Sequence, residues 1–181
     1  MGTAGMALPG SRSAIVVPIR LPAALERIRL EHVANARLGV PAHITLLFPF
    51  TSPATIESVT LSRVATAIQG TRAFDAVFRE VRVWDAGDDR PGVVWLAPEP
   101  VQPFHGLIGA LTDAFPEHPP YEGAHADVIP HLTVAEEAVG LETVAAEAAR
   151  FIGFRRHVAS ASLLVEGHDG RWATRRRFAL G

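Results

Sequence analysis

Two apolar runs of one design constrain this chain more than any other feature. PAHITLLFPF (41–50) and VIPHLTVA (128–135) each set a histidine and a threonine two residues apart, shortly after a proline. On a strand, residues i and i+2 project from the same face. His43 and Thr45 would stand together with Ile44 behind them, and His131 and Thr133 would do the same in front of Leu132. Any fold that keeps both runs as strands and buries their middle residues presents an imidazole and a hydroxyl side by side, twice.

The segments around these runs predict the fold class. Residues 1–12 read as a flexible tail, and residues 13–181 as a single domain of ordinary size. Ser13 to Arg20 is β-branched and predicts a first strand, with Pro18 marking an edge position or an early stop. Leu21 to Leu38 predicts one helix with Pro22 in its first turn, Leu21, Leu25, Ile28 and Val33 on its apolar face, and Gly39 ending it. A second helix is expected from Pro53 to about Gly70. Phe74 to Trp84 alternates, with a phase slip near Arg79-Glu80, which predicts a long bulged strand. Val93 to Ala97 would pair with it as a hairpin. Helices are expected over 104–115 and 141–151, a strand over 128–135, and strands over 158–166 and 171–180 around the turn His168-Asp169-Gly170. Each half has a Pro-preceded His-x-Thr strand, then a helix, then further strands. That mixed order favours α+β architecture with largely antiparallel sheet.

Composition removes several chemistries. Cysteine is absent, which excludes disulfides, thiolate metal sites and a cysteine nucleophile. Lysine is absent too, so all 17 basic side chains are arginine. This removes a Schiff-base lysine and leaves a good bidentate partner for phosphate. A formal net charge of −2 gives no broad basic surface for gripping nucleic acid. No signal-peptide pattern and no membrane-length apolar stretch is visible, so a cytoplasmic protein without membrane association is expected. No obligate protein partner is evident.

Two imidazoles and two hydroxyls around one volume suit a phosphodiester. A histidine with an ordinary pKa near 6.5 can take a proton, and a second can give one. Threonine hydroxyls can donate to non-bridging phosphate oxygens as charge develops there. Chance alone supplies roughly half of one His-x-Thr in a chain of this composition, so the argument rests on two copies in matching context. A metal shared by His43 and His131 with Asp127 or His125 would lack HxH or HExxH spacing, so no metal or other cofactor is called for.

The stretch GVPAHITLLFPF, the PPYEG segment, VIPHLTVA and the final hairpin near GHDGRW together resemble the 2H phosphoesterase superfamily, in its 2′-5′ RNA ligase-like branch. The resemblance implies a bilobal fold with two antiparallel sheets, flanking helices and lobes related by a pseudo-two-fold axis around a cleft. It implies a metal-independent phosphodiesterase acting on 2′,3′-cyclic phosphates or 2′-5′ linkages, with a small nucleotide or RNA end as substrate. His43 and His131 would be the catalytic pair, and Thr45 and Thr133 would hold the phosphate. By analogy, His131 would activate water and His43 would protonate the leaving oxygen. Two alternatives remain: a nucleotide or RNA-end binder without turnover, and a 2′-5′ RNA ligase running the reverse reaction.

Further residues are candidates by position. Phe48 after the first motif, and Tyr121 and His125 before the second, are possible substrate contacts. Trp95 and Trp172 read as core or sheet-face residues. Arg171 reads as solvent-exposed. Relatives carry a basic residue soon after the second motif, whereas here Ala135-Glu136-Glu137 follows. An acidic pair at the cleft mouth disfavours long RNA.

Overall fold

The structure is a computed structural model that describes residues 12–87, 91–120, 128–137 and 139–181. The expected tail therefore falls almost wholly outside the described residues. Eight strands form two four-stranded sheets, and every neighbouring pair is antiparallel. The first sheet runs β2 (His43–Leu47), β1 (Ser13–Pro18), β7 (Ser160–Glu166), β8 (Trp172–Ala179). The second runs β5 (Leu132–Glu137), β4 (Gly92–Glu99), β3 (Phe74–Trp84), β6 (Phe154–Val158). The α+β architecture is as expected, and each His-x-Thr strand lies at one edge of its own sheet.

Sequence and structure differ mainly at element ends. The helix expected over 21–38 is two: α1 (Ala23–His32) and α2 (Ala34–Arg37). Val33 between them is extended (φ −121°, ψ 109°) and buried, and a buried β-branched residue gives up helical geometry readily. The helix expected from Pro53 begins as a 3₁₀ turn, and α3 spans Ser58–Ile68. α4 spans Gln102–Ala114, with Pro103 in its first turn. α5 (Leu141–Ala148) continues into a 3₁₀ turn, Ala149–Phe151. The second motif strand starts late, so His131 immediately precedes β5. The strand expected over 158–166 is broken at Ala159, where the chain passes from β6 in one sheet to β7 in the other. The phase slip in β3 is real: the β3–β4 register shifts between Phe78 and Glu80.

Strand β1 is central, between β2 and β7, and both its faces are buried, so its run AIVV needs no polar alternation. Ile15 and Val17 join Ile44, Leu46 and Leu163 in a core that continues into the second sheet through Phe78, Leu96, Leu132 and Val134. Burying each such side chain contributes roughly 1.5–3 kcal/mol. Ala14 and Val16 point the other way. With Val40 and Leu164 they form a small separate cluster against which Phe48 and Trp172 pack.

Candidate active site

The motif strands β2 and β5 lie against each other, and each has the same irregularity. In the first sheet Thr45 pairs with Val16 and Leu47 with Ile15, leaving Leu46 over. In the second, Thr133 pairs with Trp95 and Ala135 with Val94, leaving Val134 over. Each strand thus bulges by one residue directly after its threonine. A bulge shifts the alternation, so the residue sharing the threonine's face is three positions on rather than two. These residues are Phe48 and Glu136. Ile44, Leu46, Leu132, Val134 and Ala135 turn inward and are fully buried.

One cavity of about 240 Å³ is lined by His43, Thr45 and Phe48 from the first strand and by His131, Thr133 and Glu136 from the second. The structure therefore brings all four motif residues together, with Phe48 beside them. Tyr121, His125 and Asp127 lie outside the described residues, as does the side chain of Glu137. Arg171 is exposed and does not line the cavity.

The two histidines are held alike. His43 Nδ1 is 2.7 Å from the carbonyl oxygen of Pro41, and His131 Nδ1 is 2.7 Å from that of Ile129. A carbonyl can only accept, so in both rings Nδ1 carries the hydrogen. Nε2 is then the nitrogen free to exchange a proton. In each case the acceptor lies two residues back in the segment containing the proline, whose fixed φ stiffens it. The second ring also packs edge-on against Trp84 (centroids 4.7 Å apart), with Trp95 behind at 6.0 Å. Trp95 is a buried sheet residue, as its sequence context suggests.

Enclosure disfavours the charged form of both rings. Burial pushes His43 down to about 4, opposed by the Pro41 carbonyl and reinforced by the positive charge of Arg29. Burial also lowers His131, opposed by the Ile129 carbonyl. Both rings are thus neutral at pH 7 when the cavity is empty.

Sequence reasoning missed Arg29. This α1 residue is 2% exposed and lines the cavity. Its guanidinium donates to the Val40 carbonyl (2.7 Å) and to Glu26 (3.1 Å). The signal was present: Arg29 is four residues after Leu25 and adjoins Ile28, so it occupies the buried stripe of α1. Glu136 faces the same space. Burial raises its carboxyl above the usual range, and Arg29 opposes that shift. The acidic residue expected at the cleft mouth thus lines the cavity wall, placed there by the β5 bulge.

Residues 17–168 match the 2′-5′ RNA ligase superfamily. This match covers most of the chain, and the protein belongs to that superfamily, whose members are phosphoesterases and ligases. No curated protein sequence matches it. Among solved structures, E. coli LigT complexed with 3′-AMP is similar at 19% identity and a TM-score of 0.57, covering 95% of this chain and 98% of that one. TT0787 of Thermus thermophilus is 18% identical with a TM-score of 0.55, covering 93% and 97%. Usb1 of Kluyveromyces marxianus is 11% identical with a TM-score of 0.52, covering 92% and 98%. At these identities the likeness shows the fold. Among the described residues no helix is long and apolar enough to cross a membrane.

Proposed function

We propose that this protein is a metal-independent phosphodiesterase that opens 2′,3′-cyclic phosphates or 2′-5′ linkages in small nucleotides or at RNA ends. The carrying observation is the matched pair of Nδ1–H···O=C bonds, which leaves two Nε2 atoms free in one cavity beside two threonine hydroxyls. The phosphate sits between the strands, with Thr45 and Thr133 donating to its non-bridging oxygens. Arg29 supplies a positive charge beside the phosphate. Its salt-bridge partner among the described residues is the partly exposed Glu26, and the Glu136 carboxyl also acts on it across the cavity. The 3′-AMP complex of E. coli LigT supports a nucleotide ligand for this fold.

Hydrolysis needs one proton on the histidine pair. His131 Nε2 takes a proton from water as its oxygen attacks phosphorus. His43 Nε2–H protonates the departing ribose oxygen as the P–O bond breaks. Because both rings are neutral in the empty cavity, the proton on His43 is taken up with the substrate, whose negative charge offsets the effect of burial. The reverse reaction, ligation of a 2′,3′-cyclic phosphate end, uses the same groups.

Turnover of nucleoside 2′,3′-cyclic phosphates in EDTA tests this reading. His43→Ala and His131→Ala should each lose at least about 10³-fold in kcat, on the scale of general acid–base catalysis. With a p-nitrophenyl phosphodiester, whose leaving group needs no proton, His43→Ala should recover most activity and His131→Ala little. Wild-type rates in both variants would refute the two-histidine mechanism, and recovery by His131→Ala instead would reverse the roles.

A further inference from the structure

The charges around this cavity are not those of a simple anion trap. Among the described residues, Arg12 and Arg29 are the guanidinium groups that line it. Arg12 makes two bonds to the buried Glu166, of 2.9 and 2.5 Å, and Arg29 is bonded to Glu26 at 3.1 Å. Each cation thus already has a carboxylate. Glu136 is a further carboxylate, and it lines the same cavity. Its charge and that of Arg29 act on each other across the space: each opposes the effect of burial on the other.

Backbone geometry fixes where this carboxylate stands. Val134 drops out of register, so Glu136 follows Thr133 on one face of β5 and pairs with Val93 on β4. Neighbours on one face of a strand are two rises apart, roughly 7 Å. A phosphate held by the Thr133 hydroxyl is therefore about 7 Å from the carboxylate. Strand β2 has the uncharged Phe48 at the matching position, so the negative charge is on one side only. A carboxylate so placed works against anion binding, and the size of that penalty depends on the charge of the ligand.

The proposed reaction changes that charge. The oxygen of water bonds to phosphorus, and the bond from phosphorus to one ribose oxygen breaks. One water proton goes to the ribose oxygen, and the other stays on the new monoester. The second acidity of a phosphate monoester lies near pH 6, so at pH 7.5 that proton passes to solvent. A singly charged diester enters, and a doubly charged monoester must leave.

We propose that Glu136 is a specificity-determining residue that makes the cavity charge-selective, tolerating the singly charged phosphodiester and expelling the doubly charged phosphomonoester formed from it. The proposal rests on the phosphodiesterase reading and deepens it. Glu136 remains exposed on its solvent side, so water screens it and the effective dielectric is close to that of bulk. At roughly 7 Å the repulsion then costs about threefold in affinity for each unit of ligand charge. Two units cost about ninefold, so the carboxylate shifts the balance between diester and monoester about threefold. The direction of that shift limits inhibition by product.

The test is calorimetry at pH 7.5 and low salt with two unreactive ligands that share a nucleoside. One is 2′-deoxyadenosine 3′-methyl phosphate, with a single charge, and the other is 2′-deoxyadenosine 3′-monophosphate, with two. Neither has the 2′ hydroxyl needed to form a cyclic phosphate. Glu136→Gln keeps the shape of the side chain and removes its charge. It should tighten the diester about threefold and the monoester about ninefold, and the difference should fade at about 0.5 M salt. Glu136→Asp keeps the charge and should show the wild-type ratio of affinities. Equal gains for the two ligands, or a difference that persists at high salt, would overturn the proposal, as would failure of the diester to bind the wild type. Turnover of adenosine 2′,3′-cyclic phosphate is measured beside it. If that turnover is absent, the phosphodiesterase reading fails, while charge selection stands or falls on the calorimetry.

Discussion

Acidification should destabilise this protein through one named ring. Burial takes His43 from 6.5 to about 4 in the folded chain. The folded state therefore favours the neutral ring, while the unfolded chain protonates at the ordinary value. Above pH 6.5 the ring is neutral in both states and costs nothing. As pH falls from 6.5 the unfolded chain binds a proton that the folded chain refuses, so stability is lost until the folded ring also protonates near pH 4. The span corresponds to roughly 3 kcal/mol, which is a large fraction of the 5–15 kcal/mol typical of a whole domain. His131 acts in the same direction. Other groups titrate over this range, so the informative quantity is the difference between wild type and His43→Gln. Urea unfolding at pH 7.5, 6, 5 and 4 should show wild type losing about 3 kcal/mol more than the variant, with the divergence beginning near pH 6.5. Parallel curves, differing by less than about 1 kcal/mol across the range, would show that the ring is not held neutral by enclosure. The pKa argument and the substrate-delivered proton would then fall together.

Two further substitutions probe the charges around the cavity. Arg29→Met removes the donor to the Val40 carbonyl and the positive charge facing Glu136, so it should cost roughly 1–3 kcal/mol of stability in urea unfolding. It should weaken competitive inhibition by inorganic phosphate at least tenfold; undiminished phosphate affinity would make Arg29 a packing residue only. Glu136→Gln removes a carboxylate from the cavity wall and should tighten phosphate inhibition several-fold at pH 7.5 and low salt. That advantage should shrink as pH falls and the wild-type carboxyl takes up its proton, at a higher pH than for an ordinary glutamate.

Much of the site was legible because its chemistry is local. A strand sets residues i and i+2 on one face by geometry alone, so His43 with Thr45 and His131 with Thr133 could be paired without a structure. The bulges could not be read this way. Leu46 and Val134 are ordinary strand residues, and nothing in the runs ITLL and LTVA signals that one of them drops out of register. Without the bulges, strict alternation does not put Phe48 or Glu136 on the same face as the threonines. Arg29 is hidden for another reason: apolar periodicity marks a helix's buried stripe, and a charged residue within that stripe breaks the pattern rather than announcing a site. Trp172 needed long-range information, since only the β7–β8 pairing and the Leu38 contact bring residue 172 to a cavity built around residue 43.

These omissions share a physical origin that bears on how the site works. The motif residues are equivalent in the two strands, including the hydrogen bond that fixes each ring and the bulge that follows each threonine. A symmetric pair of imidazoles has no preferred direction, yet a hydrolase needs one ring to take a proton while the other gives one. Direction must come from what is not duplicated. Arg29 lies near His43 and lowers it further, Trp84 and Trp95 pack on His131, and Phe48 and Glu136 differ at matching positions. On the proposed reading the repeated motifs supply the proton-transfer groups, and the unrepeated residues around them set the direction of proton transfer.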